Sequence, residues 1–208
     1  MARSNVVPLR PMPAAPGAGH DVPLEMRTDD ELMLLAASGL RPAFAMLAQR
    51  YMARLTQFCV KMTGDAAAAE EIAQQAWLEI WRHRARYVPR GKFIVLLYAA
   101  ARNRCRNRAR DTQRQAQWIV RESDAVLETT GAAPEQLDSL LERERERQVH
   151  EALANLPEKL REAVILRYSE GFSYEDIATA LEINASTARS RVFHGLRALR
   201  SYLDGGRR

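Results

Sequence analysis

Cysteine is almost missing from this chain of 208 residues: Cys59 and Cys105 are the only two, with no CxxC spacing. Two thiols cannot build a disulfide framework, so a reducing cytoplasm is the expected setting and both are read as packing residues. Aromatic residues are few, at 7% of the chain, and Val, Ile and Thr are too scattered for a strand-rich fold. No apolar run approaches the roughly 20 residues of a membrane helix, and the N-terminus lacks the apolar core of an export signal; a soluble protein with no membrane insertion is expected. Chemistry is equally sparse. His20, His83, His150 and His194 are scattered, and no Gly-rich phosphate loop, Ser/His/Asp set or metal-ligand spacing rises above chance. Neither an enzyme nor a bound cofactor is expected.

What is present is helix-forming sequence and unevenly placed charge. The net charge is only +5, yet between Arg82 and Arg114 eleven Lys or Arg stand against Asp111 alone, and from Ala185 to Arg208 six stand against Asp204 alone. A solvated helix face normally mixes both signs. Segregation of this kind is the footprint of two polyanion-binding surfaces.

The organisation follows from punctuation and period. Residues 1–27, including PLRPMPAAPGAGHDVP, have no amphipathic period and are read as a disordered arm. Helix is expected from near Thr28, with Asp29, Asp30 and Glu31 in its first turn. Phe44, Leu47, Tyr51, Leu55 and Phe58 form a core-facing stripe that Gly64 and Asp65 end. Between about Ala66 and Arg86, Ala69, Ile72, Ala73, Ala76 and Ile80 face inward while Glu70, Glu71, Gln74, Gln75 and Glu79 face out. Trp77 and Trp81 are read as core or as part of a docking face. A further helix from about Phe93 packs Phe93, Leu96, Leu97, Ala100 and Ala101 inward and turns Tyr98, Arg102, Asn103, Arg106 and Arg110 outward. A basic helix with an exposed aromatic suits single-stranded or melting DNA, since Arg neutralises phosphate and a ring stacks on an unpaired base. Residues 112–140 read as a tether. Helix resumes toward ERERERQVHEALANL, and Pro157 opens another helix with a Leu160, Val164, Tyr168 stripe. The fold class is all-α: two small helical domains, 28–111 and 141–204, joined by a flexible linker.

Ser173 to Arg200 reads as two short helices joined by a tight turn. Ser173 followed by Asp176 marks the first start. Ile177, Ala178 and Leu181 face Ile183, Ala188 and Val192, with small Ala178 at the crossing. The second helix carries Arg189, Arg191, Arg197 and Arg200 and no acid before Asp204. That is a helix-turn-helix with a basic second helix, the pattern of a DNA reader. Glu182 occupies the turn position that usually holds Gly, where a left-handed backbone costs a non-Gly residue roughly 1 kcal/mol.

Three blocks in order resemble the extracytoplasmic-function subgroup of bacterial sigma-70 factors, the interchangeable promoter-recognition subunits of RNA polymerase. GDAAAAEEIAQQAWLEIWRHRARY is similar to the family's acidic, Gln-containing helix. FIVLLYAAARNRCRNRARD is similar to its −10 element helix, with Ala101, Arg102 and Asn103 matching an Ala-Arg-Asn core. LANLPEKLREAVILRYSEGFSYEDIATALEINASTARSRVFHGLRALR resembles the helix-turn-helix domain that reads the −35 element. The resemblance implies an alternative sigma factor acting by binding rather than chemistry. It implies that Glu71, Gln74 and Trp77 contact the clamp helices of the polymerase largest subunit. Lys92, Tyr98, Arg102, Asn103, Arg106 and Arg110 would meet the −10 element, with a flipped base held by the loop 88–92. Ser186, Thr187, Arg189, Ser190 and Arg191 would meet the −35 element. Core RNA polymerase, promoter DNA and an anti-sigma factor are the implied partners.

The chain departs from the family pattern at Leu96, usually Trp, at Glu182, at Ala188, and at His194 and Gly195, usually Arg-Ala. The competing reading is a stand-alone helix-turn-helix regulator binding duplex DNA as a dimer, which accounts for residues 173–200 but gives the N-terminal blocks no task.

Overall fold

In the computed structural model a capping box starts the first helix: the Thr28 hydroxyl accepts from the Glu31 N–H, and the Glu31 carboxylate accepts from the Thr28 N–H at 2.8 Å. The structure describes residues 22–119 and 137–205. Of the arm expected over 1–27, residues 1–21 lie outside them, as does the tether between 120 and 136; the arm's last residues instead form a 3-10 turn at Leu24–Met26, with the Leu24 and Glu25 carbonyls accepting from Arg50 of the second helix.

Every regular element among the described residues is helical. The first module contains α1 (Asp29–Ala37), α2 (Arg41–Thr63), α3 (Ala66–His83) and α4 (Phe93–Ile119). Gly64, at φ 75°, ends α2 in the left-handed region, and Asp65 then caps α3 by accepting from the Ala68 N–H. The core of this module is built on Leu47, Leu55, Phe58, Ile72, Trp77, Phe93 and Leu97. Phe44 closes one end, edge-on to Trp77 at 5.3 Å and tilted on Trp81 at 5.0 Å.

α3 becomes a single 3-10 turn at Arg84–Arg86, so the expected helix to residue 86 tightens in its last turn. The loop after it is pinned from α1. Asp30 accepts from the Tyr87 hydroxyl and, at 2.6 Å, from the Gly91 N–H. Burial first, then that bond to Asp30, pushes the Tyr87 phenol well above its ordinary range.

The tether was expected from residue 112, but α4 continues to Ile119. Its extension, DTQRQAQWI, has no Gly or Pro to stop it, so the helix runs on.

The second module contains α5 (Leu137–Ala154), α6 (Glu158–Tyr168), α7 (Tyr174–Leu181) and α8 (Ala185–Gly205). α6 departs from the expected single stripe. Residues Glu162, Ala163, Val164, Ile165 and Leu166 are all buried while Tyr168 is exposed, because α6 is enclosed by α8, α7 and the first module. Gly195 of α8 is buried where that helix crosses α6. At the turn between α7 and α8, Glu182 has φ 55° and ψ 47°, the left-handed conformation expected for it. The sequence puts a strained residue there, and the structure retains it.

The modules dock against each other. Phe172, in the turn after α6, packs on Tyr98 of α4 with ring centres 5.3 Å apart, and Arg161 donates to the Met62 carbonyl at 3.0 Å.

Candidate nucleic-acid and protein interfaces

On α3, Glu71, Gln74 and Leu78 line one exposed face at helical spacing, with Leu78 half exposed at 51%. Trp77 departs from the docking role: it is buried between Phe44 and Phe93, and its indole N–H has no hydrogen-bond partner. The apolar member of the outward face is therefore Leu78, which the sequence pattern did not single out. Arg104 and Arg108 of α4 stand 2.9 Å and 3.7 Å from Glu79 and Glu71, tying the acid row to the basic helix without burying it. Exposed pairs of this kind are worth little and exchange readily for a partner.

α4 departs more strongly. Leu96 and Tyr98 exchange their expected places, Leu96 being 45% exposed and Tyr98 fully buried. Arg102 is also buried. The second module covers both. The Tyr98 hydroxyl donates to Glu170, and burial first, then this bond, raises its phenol far above the ordinary value. Arg102 Nε lies 3.1 Å from Oε1 of Glu162, a carboxylate with no exposed surface. The contact is ionic rather than directional, since neither that N–H nor either carboxylate oxygen completes an aligned hydrogen bond. Burial is the main influence on Glu162 and raises its carboxyl above the usual range, Arg102 and Arg106 opposing it only in part.

The other expected −10 residues divide between covered and open. Arg106 Nε is 3.1 Å from Glu158 and 3.7 Å from Glu162. Lys92 is 3.1 Å from Asp176. Burial works against ionisation of Asp176, but hydrogen bonds from Ser173 and Lys92 prevail and hold its carboxyl below the ordinary value. Asn103 and Arg110 are exposed and, with Arg104 and Asn107, line an open polar groove along α4. A second groove, lined by Tyr87, Val88, Lys92, Leu96 and Ala99, lies between α4 and the loop that Asp30 pins. Asp30 holds the loop side of that groove from another helix, through Tyr87 and Gly91, a contact that motif reading does not show.

On α8 the expected residues lie together at the helix start. Asn184 Oδ1 accepts from the Thr187 N–H at 2.7 Å and from the Ser186 hydroxyl at 2.8 Å, so Asn184 caps the helix and the Ser186 oxygen keeps its acceptor capacity for solvent. Asn before a helix is a readable cap that the sequence reading passed over. Arg189 and Ser190 are exposed, and Arg191 and Thr187 half-buried. The Arg189 guanidinium sits 5.1 Å from the centre of the Tyr174 ring, which Arg167 also approaches at 4.9 Å. Phe193, 63% exposed, follows Ser186 by two turns on the same side.

Residues 47–115 match the model of sigma-70 region 2 and residues 146–199 that of sigma-70 region 4. The chain is 31% identical to the RNA polymerase sigma-H factor of Pseudomonas aeruginosa over 183 residues, covering 85% of this chain and 94% of that one. It is 32% identical to the ECF RNA polymerase sigma factor SigK of Mycobacterium ulcerans over 181 residues, covering 86% and 96%. The chain belongs to the extracytoplasmic-function group of the sigma-70 family. Sigma factors of this group are promoter-recognition subunits of RNA polymerase, so the stand-alone regulator gives way to a transcription initiation factor. Two solved structures share this sigma factor's fold. CnrH in complex with the cytosolic domain of CnrY has a TM-score of 0.64 at 21% identity, covering 85% of this chain and 97% of CnrH. The sigma factor RpoE in complex with the anti-sigma factor NepR from Bartonella quintana has a TM-score of 0.63 at 23% identity, covering 77% and 96%. None of the described helices of this sigma factor is long and apolar enough to cross a membrane.

Proposed function

We propose that this sigma factor works in the cytoplasm by binding alone, with the outer face of α3 as its grip on core polymerase. Glu71, Gln74 and Leu78 supply charge, hydrogen-bonding amide and apolar surface on consecutive turns. In the same module, Lys92, Asn103, Arg106 and Arg110 contact the −10 element, with Tyr98 and Arg102 joining them when uncovered. The groove between Tyr87, Val88 and Leu96 receives an unpaired base. In the second module, Ser186, Thr187, Arg189, Ser190 and Arg191 face the −35 element, phosphate contacts setting the register and base edges the sequence.

The observation that carries this reading is the placement of an acid-and-glutamine face beside a basic helix in one module and a basic recognition helix in another. Two weak readers on one chain gain affinity through effective concentration when their spacing suits the promoter. CnrH and RpoE were each solved with a protein bound, NepR being named an anti-sigma factor. An anti-sigma factor is the corresponding partner here. Run-off transcription on genomic fragments with sigma-free core polymerase tests the whole reading: discrete transcripts that require this chain are expected, and their absence overturns it.

A further inference from the structure

We infer that Ser186 reads an exocyclic amine, the N6 group of adenine or the N4 group of cytosine, and that Asn184 fixes this choice by occupying the hydroxyl hydrogen. The inference rests on the reading of α8 as the −35 helix and names the chemistry of one contact within it.

The polarity follows from Asn184. Its main-chain carbonyl accepts from the Ala188 N–H at 3.0 Å, and its side-chain Oδ1 accepts from the Thr187 N–H at 2.7 Å. A backbone N–H only donates, so the atom facing it is the amide oxygen and the orientation of the Asn184 side chain is settled. Ser186 Oγ stands 2.8 Å from that same oxygen. An amide oxygen has only lone pairs to offer, so the Ser186 hydroxyl donates and its single hydrogen is spent. Lone pairs remain, and Ser186 is exposed. Toward DNA it is an acceptor.

That excludes one partner and selects another. A phosphate oxygen also carries only lone pairs, so Ser186 makes no hydrogen bond to the DNA backbone without first breaking its bond to Asn184. In the major groove the donors are the N6 amine of adenine and the N4 amine of cytosine, while guanine presents acceptors at N7 and O6 and thymine one at O4. The neighbours make an acceptor matter. α8 carries Arg189, Arg191, Arg197 and Arg200 and no acid before Asp204, and guanidinium groups are donors only. Arginine therefore suits guanine, and Ser186 supplies the complement that an amine-bearing base requires. Ser190, one turn on, and Phe193, two turns on, are exposed along the same side, so Ser186 opens the outward row and not the core-facing one of Ala188 and Val192.

The test uses holoenzyme reconstituted from the full chain and sigma-free core polymerase, with a pool of duplexes of random sequence as the probe. Bound DNA is recovered and sequenced for the native chain, Ser186→Ala and Asn184→Gly, glycine being a tolerated cap. Ser186→Ala is expected to flatten the preference at one base pair of the enriched upstream element and to leave its other positions as they were. At that pair the two bases are then replaced in turn, the amine-bearing one by an analogue without its amine and the keto-bearing one by an analogue without its oxygen. Loss of the amine is expected to weaken native binding about fivefold, the worth of one hydrogen bond, and to leave Ser186→Ala unmoved. Loss of the keto oxygen is expected to act on both chains alike. Asn184→Gly frees the hydroxyl to donate and is expected to accept a keto group at that pair, a change of preference that loss of a helix cap alone does not produce. An enriched element that Ser186→Ala leaves unchanged overturns the assignment, as does a contact that depends on the keto oxygen instead of the amine. Native preference retained by Asn184→Gly overturns the part given to Asn184. A holoenzyme that enriches no upstream element overturns the reading of α8 and this contact with it, which keeps the two failures apart.

Discussion

A methyl group in place of the Gly195 hydrogen would stand 2.5 Å from Cγ2 of Val164 and 3.2 Å from the Leu160 carbonyl oxygen. Gly195 is thus the point at which α8, the recognition helix, leans on α6. The β-branched Val164 has little rotamer freedom with which to retreat. Gly195→Ala is expected to destabilise the second module by about 1–3 kcal/mol, the usual cost of overpacking. Thermal unfolding of the variant measures it, and adding Val164→Ala should recover part of the loss.

Glu162 makes stability depend on pH in a direction opposite to most carboxylates. Burial raises its carboxyl, so the folded chain holds the proton more tightly than the unfolded one. Its contribution is therefore complete below the ordinary Glu range and is lost as pH rises through the raised value. Glu162→Gln imitates the protonated form. The variant should gain on the native chain in melting temperature as pH is raised from below the ordinary Glu range to well above it, because only the native chain acquires a buried charge. An identical difference at both pH values would contradict this.

Trp77 and Leu78 are neighbours with separate expected effects. Trp77→Ala should cost about 3–5 kcal/mol of stability, since it empties the pocket between Phe44 and Phe93. Leu78→Ala should leave the melting temperature nearly unchanged and weaken core-polymerase binding by about 1–2 kcal/mol. Fluorescence titration with core enzyme separates binding from folding.

Arg189 is expected to lose more by substitution than its charge. Its guanidinium lies over the face of Tyr174, 5.1 Å from the ring centre. Arg189→Ala should weaken upstream-element binding by about 1–3 kcal/mol, and Arg189→Lys should not restore it, because an ammonium lacks the planar fork. Footprinting on a promoter found by run-off transcription gives the comparison.

The helix starts were legible: Ser173 caps the helix expected of it, and the helix expected from near Thr28 starts there, with Thr28 itself as its cap. The left-handed Glu182 was legible too, since a two-helix turn requires that backbone whatever residue fills it. Tyr98 and Leu96 were not. Helical period divides a helix into faces but does not say which face another module covers, and here docking buries the polar-looking side of α4. The hold of Asp30 on the loop was not legible for a related reason, its contacts there being 57 and 61 residues away. Trp77 could be read either as core or as docking surface. Only the positions of Phe44 and Phe93 decide between them.

α4 does not stop where its module does. From Asp111 to Ile119 it projects as a rod, and at 1.5 Å per residue those eight steps advance the chain about 12 Å. The chain toward the second module therefore departs from the end of a stiff boom. Inserting or deleting residues within the boom would swing the point of departure by about 100° per residue as well as move it, so rotation and reach would change together.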